Sequence, residues 1–183
     1  TWTMLSALAS GLQAGDVAAY SYIMALVYHI PLSAAQQAVE GLYPVQPLAM
    51  ADRVRFSELD PLSHVNNVAY MSWFERLRVR YAQDWGISQY NEQGTNPRLV
   101  IRSGAIHYRQ EMRLDEDYVA TCACRAFRNS SYTLDQQLWA GGTLRATFEC
   151  VMVMLLPDGS GKQPIPDAVR ARFVAVDGAI EEG

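Results

Sequence analysis

The sequence predicts an α+β fold in which a curved antiparallel sheet of about five strands wraps around one long central helix, behind an N-terminal helical extension. Helical periodicity runs from about Asn67 to Trp85, and apolar side chains cover so much of this segment that the helix must be largely enclosed. Short apolar or alternating runs separated by turn signals then occupy residues 99–156, which is typical of antiparallel strands. A sheet whose concave face covers the helix would bury the apolar surfaces of both.

The predicted elements are helices over residues 3–12, 16–29 and 34–40, a strand over 50–58, the long helix over 67–85, strands over 99–108, 118–127, 132–139 and 143–156, and a short helix over 166–173. Asp16 and Ser33 can cap the second and third of these helices, and Gly86 can end the long one. Pro61 breaks the ladder of the first strand, because proline has no backbone N–H. The Gly-Gly pair before residue 143 predicts a hairpin between the last two strands.

These elements divide the chain into a helical extension over residues 1–44, a main domain over 45–175 and a flexible acidic tail over 176–183. Half of the 183 residues are hydrophobic and 19% are charged, as in ordinary globular proteins. The net charge of -4 offers no basic surface, so nucleic acid is not a predicted partner. Residues 1–30 are apolar, but glycines interrupt them and they lack the basic start of a signal peptide. We therefore expect a cytoplasmic protein without a membrane span.

The three cysteines, Cys122, Cys124 and Cys150, show no repeated spacing, and their odd number argues against a disulfide framework. No further metal-ligating residues accompany them in the sequence, so no metal site is predicted. Small buried core residues are the expected role of all three.

Polar side chains crowd the start of the long helix, where residues 60–75 read DPLSHVNNVAYMSWFE. The first backbone N–H groups of a helix have no partner within the helix and point along a favourable dipole. With Asn66 or Asn67 as the N-cap, the N–H groups of residues 67–69 could meet negative charge that develops on a carbonyl oxygen. Asp60 beside them could attack the carbonyl or activate water, although aspartate also suits a turn before proline.

The stretch RVRFSELDPLSHVNNVAYMSWFERLRV, residues 53–79, resembles the hotdog-fold thioesterases. It is most similar to the 4-hydroxybenzoyl-CoA thioesterase type and to the long-chain acyl-CoA and plant acyl-ACP thioesterases, and the resemblance covers about residues 48–157. The resemblance implies hydrolysis of an acyl-CoA or acyl-carrier-protein thioester without a separate cofactor. It also implies dimers whose sheets pair edge to edge, with the active sites at the dimer interface, so we expect a homodimer or homotetramer.

The resemblance and the helix-start argument together give the predicted site. The predicted catalytic residues are Asp60 and His64, the predicted substrate contacts are Asn66, Asn67, Val68 and Tyr70, and the predicted CoA contacts, in the turn where several relatives hold the CoA phosphates, are Arg128, Asn129 and Ser130. Structural alternatives stand beside these roles, because His64 could hold the loop, Asn67 could cap the helix, and Arg128 could lie in a solvated turn. Many relatives have Gly at Ser63, and the acyl-ACP enzymes have Asn at Leu62, so the mechanism of those enzymes does not transfer directly.

Two other functions are compatible with the sequence. A hotdog enoyl-thioester hydratase or dehydratase would carry a pattern close to Asp-x-Asn-Pro-x-His, with its acid and histidine five residues apart. Here Asp60 and His64 are four apart and no Asn-Pro lies between them, so the spacing favours the thioesterase. A non-catalytic binding or assembly module would instead use the apolar N-terminal helices as a docking surface.

Overall fold

The computed structural model of the chain describes residues 26–90 and 95–183, and these contain the predicted sheet around one long helix. The α-helices are α1 (Ala34–Val39), α2 (Asn67–Asp84) and α3 (Asp167–Arg172). The strands are β1 (Leu48–Arg53), β2 (Arg98–Tyr108), β3 (Asp117–Phe127), β4 (Ser131–Ala140), β5 (Thr143–Leu155) and β6 (Ile180–Glu181). The part of the predicted extension before residue 26 lies outside the described residues.

The sheet follows the order β1-β3-β4-β5-β2, and all of these neighbours pair antiparallel. The short strand β6 pairs in parallel with β3. Aromatic side chains join α2 to one face of the sheet, because Trp73 stacks on Tyr118 and Phe74 contacts Phe148. This arrangement confirms the predicted α+β fold of a sheet around a central helix.

The bounds of α2 follow from its caps. Asn66 is the N-cap residue, and its side-chain oxygen accepts a hydrogen bond from the backbone N–H of Val68 at 2.9 Å. Gly86 follows the C-cap with a φ of 72°, a left-handed conformation that glycine adopts at little cost. None of the helices in the described part of the chain, α2 included, has the length and apolarity needed to cross a membrane.

The first strand is shorter than predicted. β1 covers only the start of the predicted segment, and residues 56–58 form a 3₁₀ turn. The backbone N–H of Arg55 donates to the Glu58 carboxylate at 2.8 Å, which stabilises this turn instead of a continued ladder. Val54 is buried whereas Phe56 is exposed, so the alternation in the sequence did not extend the strand as we expected.

The described end of the extension does not form the helix predicted to reach His29. Tyr28 forms an isolated bridge with Ala51, and the backbone N–H of His29 donates to the Ala51 carbonyl at 3.0 Å. The N–H of Leu32 likewise donates to the carbonyl of Ala49 at 2.8 Å. β1 is an edge strand with free backbone groups, and these draw the segment into extended structure. The next predicted helix, over residues 34–40, is confirmed as α1.

The C-terminal residues pack on the domain, which differs from the predicted flexible tail over 176–183. The Asp177 carboxylate accepts hydrogen bonds from the Tyr81 hydroxyl, from the Trp85 indole N–H at 3.0 Å and from the backbone N–H of Cys124 at 2.7 Å. Strand β6 then extends along β3. The acidic composition suggested a solvated tail, but one of its acids is enclosed and fully partnered.

All three cysteines are buried free thiols in the core between the sheet and α2. Burial raises the pKa of all three thiols, to about 11 for Cys150. Within residues 26–90 and 95–183, no three His, Cys, Asp or Glu side chains cluster as a metal site requires.

Strand β2 forms the other edge of the sheet, next to β5. No strand of the described chain pairs with its outer side, and β2 is eleven residues long. Val100, Ile101 and Tyr108 on this strand are exposed apolar or aromatic residues. The edge is therefore open for pairing with another strand.

Candidate active site

The loop before α2 is shaped by its own backbone hydrogen bonds. The N–H of Asp60 donates to the carbonyl of His64 at 2.9 Å, and the N–H of Ser63 donates to the carbonyl of Asp60 at 3.0 Å. Ser63 has a φ of 63°, a left-handed conformation that favours glycine. Serine therefore occupies this position with some backbone strain.

Within this loop, the side chains of Asp60 and His64 form a pair. One carboxylate oxygen of Asp60 accepts the backbone N–H of Leu62 at 2.8 Å, and the other lies 3.1 Å from Nδ1 of His64. The two side chains are 19% and 30% exposed, so both are accessible from the solvent. A carboxylate acceptor at Nδ1 favours the imidazole tautomer with its proton on that nitrogen, which leaves Nε2 as an acceptor.

The start of α2 offers one free backbone donor beside this pair. The N–H of Val68 donates to the Asn66 side chain, and the N–H of Ala69 donates to the Asn66 carbonyl at 2.9 Å. No acceptor among the described residues meets the N–H of Asn67. The sequence predicted free N–H groups at residues 67–69, but the cap and the first helical turn use two of the three.

A cavity of about 360 Å³ brings several of these groups together. Its lining residues are Asp60, His64, Val65, Asn67, Tyr70, Tyr108, Arg109, Gln110 and Glu111. Four predicted site residues, Asp60, His64, Asn67 and Tyr70, therefore line a common space at the start of the helix. Asp60 thus lines the same cavity as Asn67, the first residue of the helix.

Tyr70 forms an aromatic wall of this cavity. It is buried and meets the ring of Tyr108 edge-on, with the ring centroids 5.1 Å apart. Burial, with a smaller effect of Tyr108, raises the pKa of Tyr70 to about 12. Its hydroxyl group therefore stays protonated at neutral pH and can act as a hydrogen-bond donor.

Residues 108–111 form a further wall of the cavity, which the sequence did not indicate. Tyr108 is the last residue of β2, and residues 109–111 come directly after the strand. The backbone N–H of Arg109 donates to the carbonyl of Arg145 at 2.8 Å. The Arg145 guanidinium in turn donates to the Glu111 carbonyl at 3.2 Å. Only the pairing of β2 with β5 brings this segment to the cavity, and the local sequence contains no signal for that pairing.

Two of the predicted substrate contacts lie outside the cavity. Val68 is 65% exposed, and its backbone N–H is already bonded to Asn66. The Asn66 side chain acts as the helix cap and does not line the cavity. Because Asn66 takes the capping position, the predicted capping role of Asn67 is wrong; Asn67 lines the cavity, and its contact with substrate stays a prediction.

The turn over residues 128–130 is largely engaged by other parts of the chain. The Arg128 guanidinium donates to the Glu182 carboxylate at 3.0 Å. Asn129 accepts two bonds from Arg170, one at its carbonyl and one at its side-chain oxygen, both of 3.0 Å. The Ser130 carbonyl accepts the N–H of Met154 at 2.9 Å.

In a single chain this turn lies at the opposite end of the sheet from the Asp60 cavity. β5 pairs Val153 with Ser131 near the turn, and pairs Ala146 with Tyr108 near the cavity. Seven residues of antiparallel strand span about 24 Å. Arg128 instead lines a separate cavity of about 300 Å³ together with Arg102.

A family model described as the thioesterase-like superfamily matches residues 54–173. This range contains the loop before α2, all of α2, strands β2 to β5, and α3. A search of curated proteins found no match.

Solved structures of other proteins are also similar. A thioesterase superfamily protein from Jannaschia sp. CCS1 is 37% identical, with 85% of this chain and 99% of that chain covered and a TM-score of 0.80. A thioesterase from Thermus thermophilus, solved with coenzyme A and zinc, is 30% identical over 73% of this chain and 96% of that chain, with a TM-score of 0.63. A predicted thioesterase from Bacillus stearothermophilus is 23% identical over 74% of this chain and 98% of that chain; its TM-score of 0.62 shows a common fold alone.

Proposed function

The chain belongs to the thioesterase-like superfamily, and from this we propose that it hydrolyses acyl-CoA thioesters to a free acid and CoA. The observation that carries the proposal is the shared cavity of Asp60 and Asn67, in which a carboxylate faces the space beside a free helix-start N–H. Hydrolysis of a thioester needs an attacking oxygen and a donor for the carbonyl oxygen, and these two groups supply both.

The N–H of Asn67 is the proposed donor to the thioester oxygen. Negative charge grows on that oxygen as the carbonyl carbon becomes tetrahedral, and the dipole of the 18-residue helix α2 favours negative charge at its start. A preorganised donor of this kind contributes roughly 3–4 kcal/mol to lowering the barrier. The protonated Tyr70 hydroxyl offers a second donor in the same cavity.

Asp60 is the proposed general base. It takes a proton from water, the water oxygen bonds to the carbonyl carbon, and the tetrahedral intermediate then breaks its carbon–sulfur bond to release the CoA thiolate. His64, 3.1 Å from the Asp60 carboxylate, holds the base in place and can bond the same water through Nε2. The alternative is direct attack by Asp60 to form a mixed anhydride. In a single turnover in ¹⁸O-labelled water, label in Asp60 would show direct attack with water adding to the aspartyl carbon of the anhydride, because the general-base route puts the label only in the acid product.

The open β2 edge is the proposed site of dimer formation. Two antiparallel β2 strands would bring the Arg98 end of one copy beside the Tyr108 end of the other. The turn over residues 128–130 lies at the Arg98 end, so the second copy would bring it towards the Asp60 cavity. Arg128 could then bind the CoA phosphates by charge-assisted hydrogen bonds, a role that a single chain does not permit.

The relative from Thermus thermophilus was solved with coenzyme A, which supports a CoA thioester as the substrate here. An acyl-carrier-protein thioester would present the same pantetheine arm, and a comparison of the two carriers with one acyl group tests this choice. Residues 109–111 line the cavity opposite the helix start, where this arm would pass.

The test is the release of CoA thiol from a series of acyl-CoA substrates, beside the loss of absorbance from crotonyl-CoA. We expect thiol release with multiple turnovers and no hydration of crotonyl-CoA. Hydration without thiol release would instead indicate an enoyl-thioester hydratase. A protein that turns over none of these thioesters would refute the proposed function and leave a binding or assembly role.

A further inference from the structure

A further cavity, separate from those at Asp60 and Arg128, lies between the middle of α2 and the beginning of β2. Its volume is about 340 Å³, and its lining residues are Glu75, Arg78, Val79, Tyr90, Leu99, Val100, Ile101, Tyr132 and Met152. Apolar and aromatic side chains form most of this wall. Arg78 is the only cation among the lining residues, all of which belong to the described part of the chain.

Arg78 is a buried charge with a single hydrogen-bond partner. Its side chain belongs to a residue that is 9% exposed, and one guanidinium N–H donates to the side-chain oxygen of Gln136 at 2.9 Å. The guanidinium also lies over the ring of Phe148, 5.4 Å from its centroid. No Asp or Glu of residues 26–90 or 95–183 forms an ion pair with Arg78. Glu75, which precedes Arg78 by three residues on α2, does not pair with it either, and the ion pair of Arg76 is with Asp52.

Gln136 fixes the position of this guanidinium. It is fully buried, and its side-chain amide donates to the Phe74 carbonyl at 2.9 Å while its oxygen accepts from Arg78. The buried Gln136 side chain therefore holds the Arg78 guanidinium at the cavity, so the guanidinium does not move freely as it would on an exposed arginine.

A buried guanidinium without a counter-ion is costly, because its desolvation is compensated only by hydrogen bonds or by an opposite charge. Gln136 and Phe148 supply only part of that compensation. A guanidinium presents parallel N–H groups in a planar fork that matches a carboxylate with two hydrogen bonds. The cavity is thus suited to an apolar ligand that ends in a carboxylate.

This cavity and the Asp60 cavity are both lined by residues of α2 and β2. Asn67 and Tyr108 line the Asp60 cavity, whereas Arg78 and Leu99 line this one. Arg78 follows Asn67 by eleven positions, which places the two α-carbons about 16 Å apart along the helix axis. Helical side chains tilt towards the amino end, so the guanidinium lies nearer to Asn67 than its α-carbon does.

We propose that Arg78 determines specificity by binding a carboxylate at the far end of the acyl group, so that the preferred substrates are CoA monothioesters of dicarboxylic acids. This inference rests on the proposed hydrolase function. The thioester carbonyl binds at the N–H of Asn67, the methylene chain runs along α2 from one cavity to the other, and the distal carboxylate pairs with Arg78. The acyl chain is then at most about 16 Å long, as the helix rise between the two positions requires.

The first test uses the wild-type protein alone. It compares kcat/KM for adipyl-, suberyl- and sebacyl-CoA with hexanoyl-, octanoyl- and decanoyl-CoA, so that each pair differs only in the distal carboxylate. We expect at least a tenfold preference for the dicarboxylic member of one pair or more. Free suberate should likewise inhibit more strongly than free octanoate. Hydrolysis of all six without such a preference would overturn the inference and leave the proposed function intact, whereas no hydrolysis of any would refute the proposed function.

Two variants assign the preference to Arg78. Arg78→Met keeps the length of the side chain and removes its charge, so kcat/KM should fall at least tenfold for the dicarboxylic substrates and stay within twofold for the neutral ones. Glu75→Gln alters an exposed residue of the same cavity and removes a repulsive charge, so it should lower KM for suberyl-CoA by a factor of two to five, about the size of one exposed charge interaction. If Arg78→Met keeps the preference for dicarboxylic substrates, the role of Arg78 is contradicted. If Arg78→Met does not fold, an unchanged KM for suberyl-CoA in Glu75→Gln contradicts that role instead.

Discussion

The loop over residues 60–66 and the turn over residues 128–130 were both predicted to contact substrate, but the structure uses their side chains differently. In the loop, backbone groups satisfy one another, so the side chains of Asp60 and His64 can face a cavity. In the turn, Arg128 and Asn129 are bonded to the C-terminal part of the same chain. The comparison shows that the side chains of Asp60 and His64 still face a cavity although Asp60 also accepts one backbone N–H, whereas contacts with the C-terminal residues engage Arg128 and Asn129.

Replacing the acid of the loop tests the comparison most strongly. Asp60→Asn should fold normally and lose about 10³-fold in kcat, because an amide neither takes a proton from water nor attacks a carbonyl. The measurement is thiol release at saturating acyl-CoA, with thermal unfolding as the check on the fold. Asp115→Asn, an exposed aspartate in another turn, is the matched control and should keep full activity. A near-native rate in Asp60→Asn would remove this residue from the mechanism.

His64→Gln should have a smaller effect on the rate. The amide can still donate to the Asp60 carboxylate, but it lacks the second ring nitrogen that bonds the water, so kcat should fall by about 10- to 100-fold. KM should change little, since the histidine acts on the water and the base. A loss that appears in KM alone would identify His64 as a substrate-binding residue.

Arg128→Ala tests the turn. If a second copy brings Arg128 to the CoA phosphates, KM for acyl-CoA should rise about tenfold, as expected for one charge-assisted hydrogen bond. An acyl thioester of N-acetylcysteamine, which lacks the nucleotide, should react as with the wild type. Glu182→Gln is the matched control, because it breaks the same Arg128 ion pair and keeps the arginine. Equal losses on both substrates in Arg128→Ala would refute a phosphate role.

Asn66→Ala should have the smallest effect, because Asn66 acts through the helix cap. Loss of the 2.9 Å bond to the Val68 N–H should lower the free energy of unfolding by about 1 kcal/mol. Asn66→Ser keeps a capping oxygen and should recover most of that loss in a denaturant titration. If both variants lost activity equally while only Asn66→Ala lost stability, Asn66 would have a direct role at the substrate.

Most of the fold could be predicted because its signals are local. The bounds of α2 follow from an apolar stripe, an Asn cap and a glycine stop, all of which are present in the sequence itself. The end of β1 could not be predicted, because a 3₁₀ turn competes with the ladder and the Glu58 carboxylate decides the outcome. The position of Asp177 depends on three partners that are distant in the chain.

In the candidate site, too, the residues that could be predicted are those with local signals in the sequence. The Asp60–His64 pair could be predicted from a four-residue spacing within one loop. Residues 108–111 and Arg78 could not, since the register of β2 on β5 and the buried Gln136 bring them to their cavities. Their chemistry depends on contacts between residues far apart in sequence, and composition and periodicity contain no information about those contacts.

The burial of the three cysteines has a practical consequence for these assays. Aromatic disulfide reagents, which turn yellow on reaction with thiolates, are a convenient way to follow released CoA, but exposed protein thiols add a background. Cys122, Cys124 and Cys150 are enclosed, and burial raises the pKa of each thiol. The folded protein should therefore give no colour of its own, and a slow yellowing without substrate would report the opening of the core between the sheet and α2.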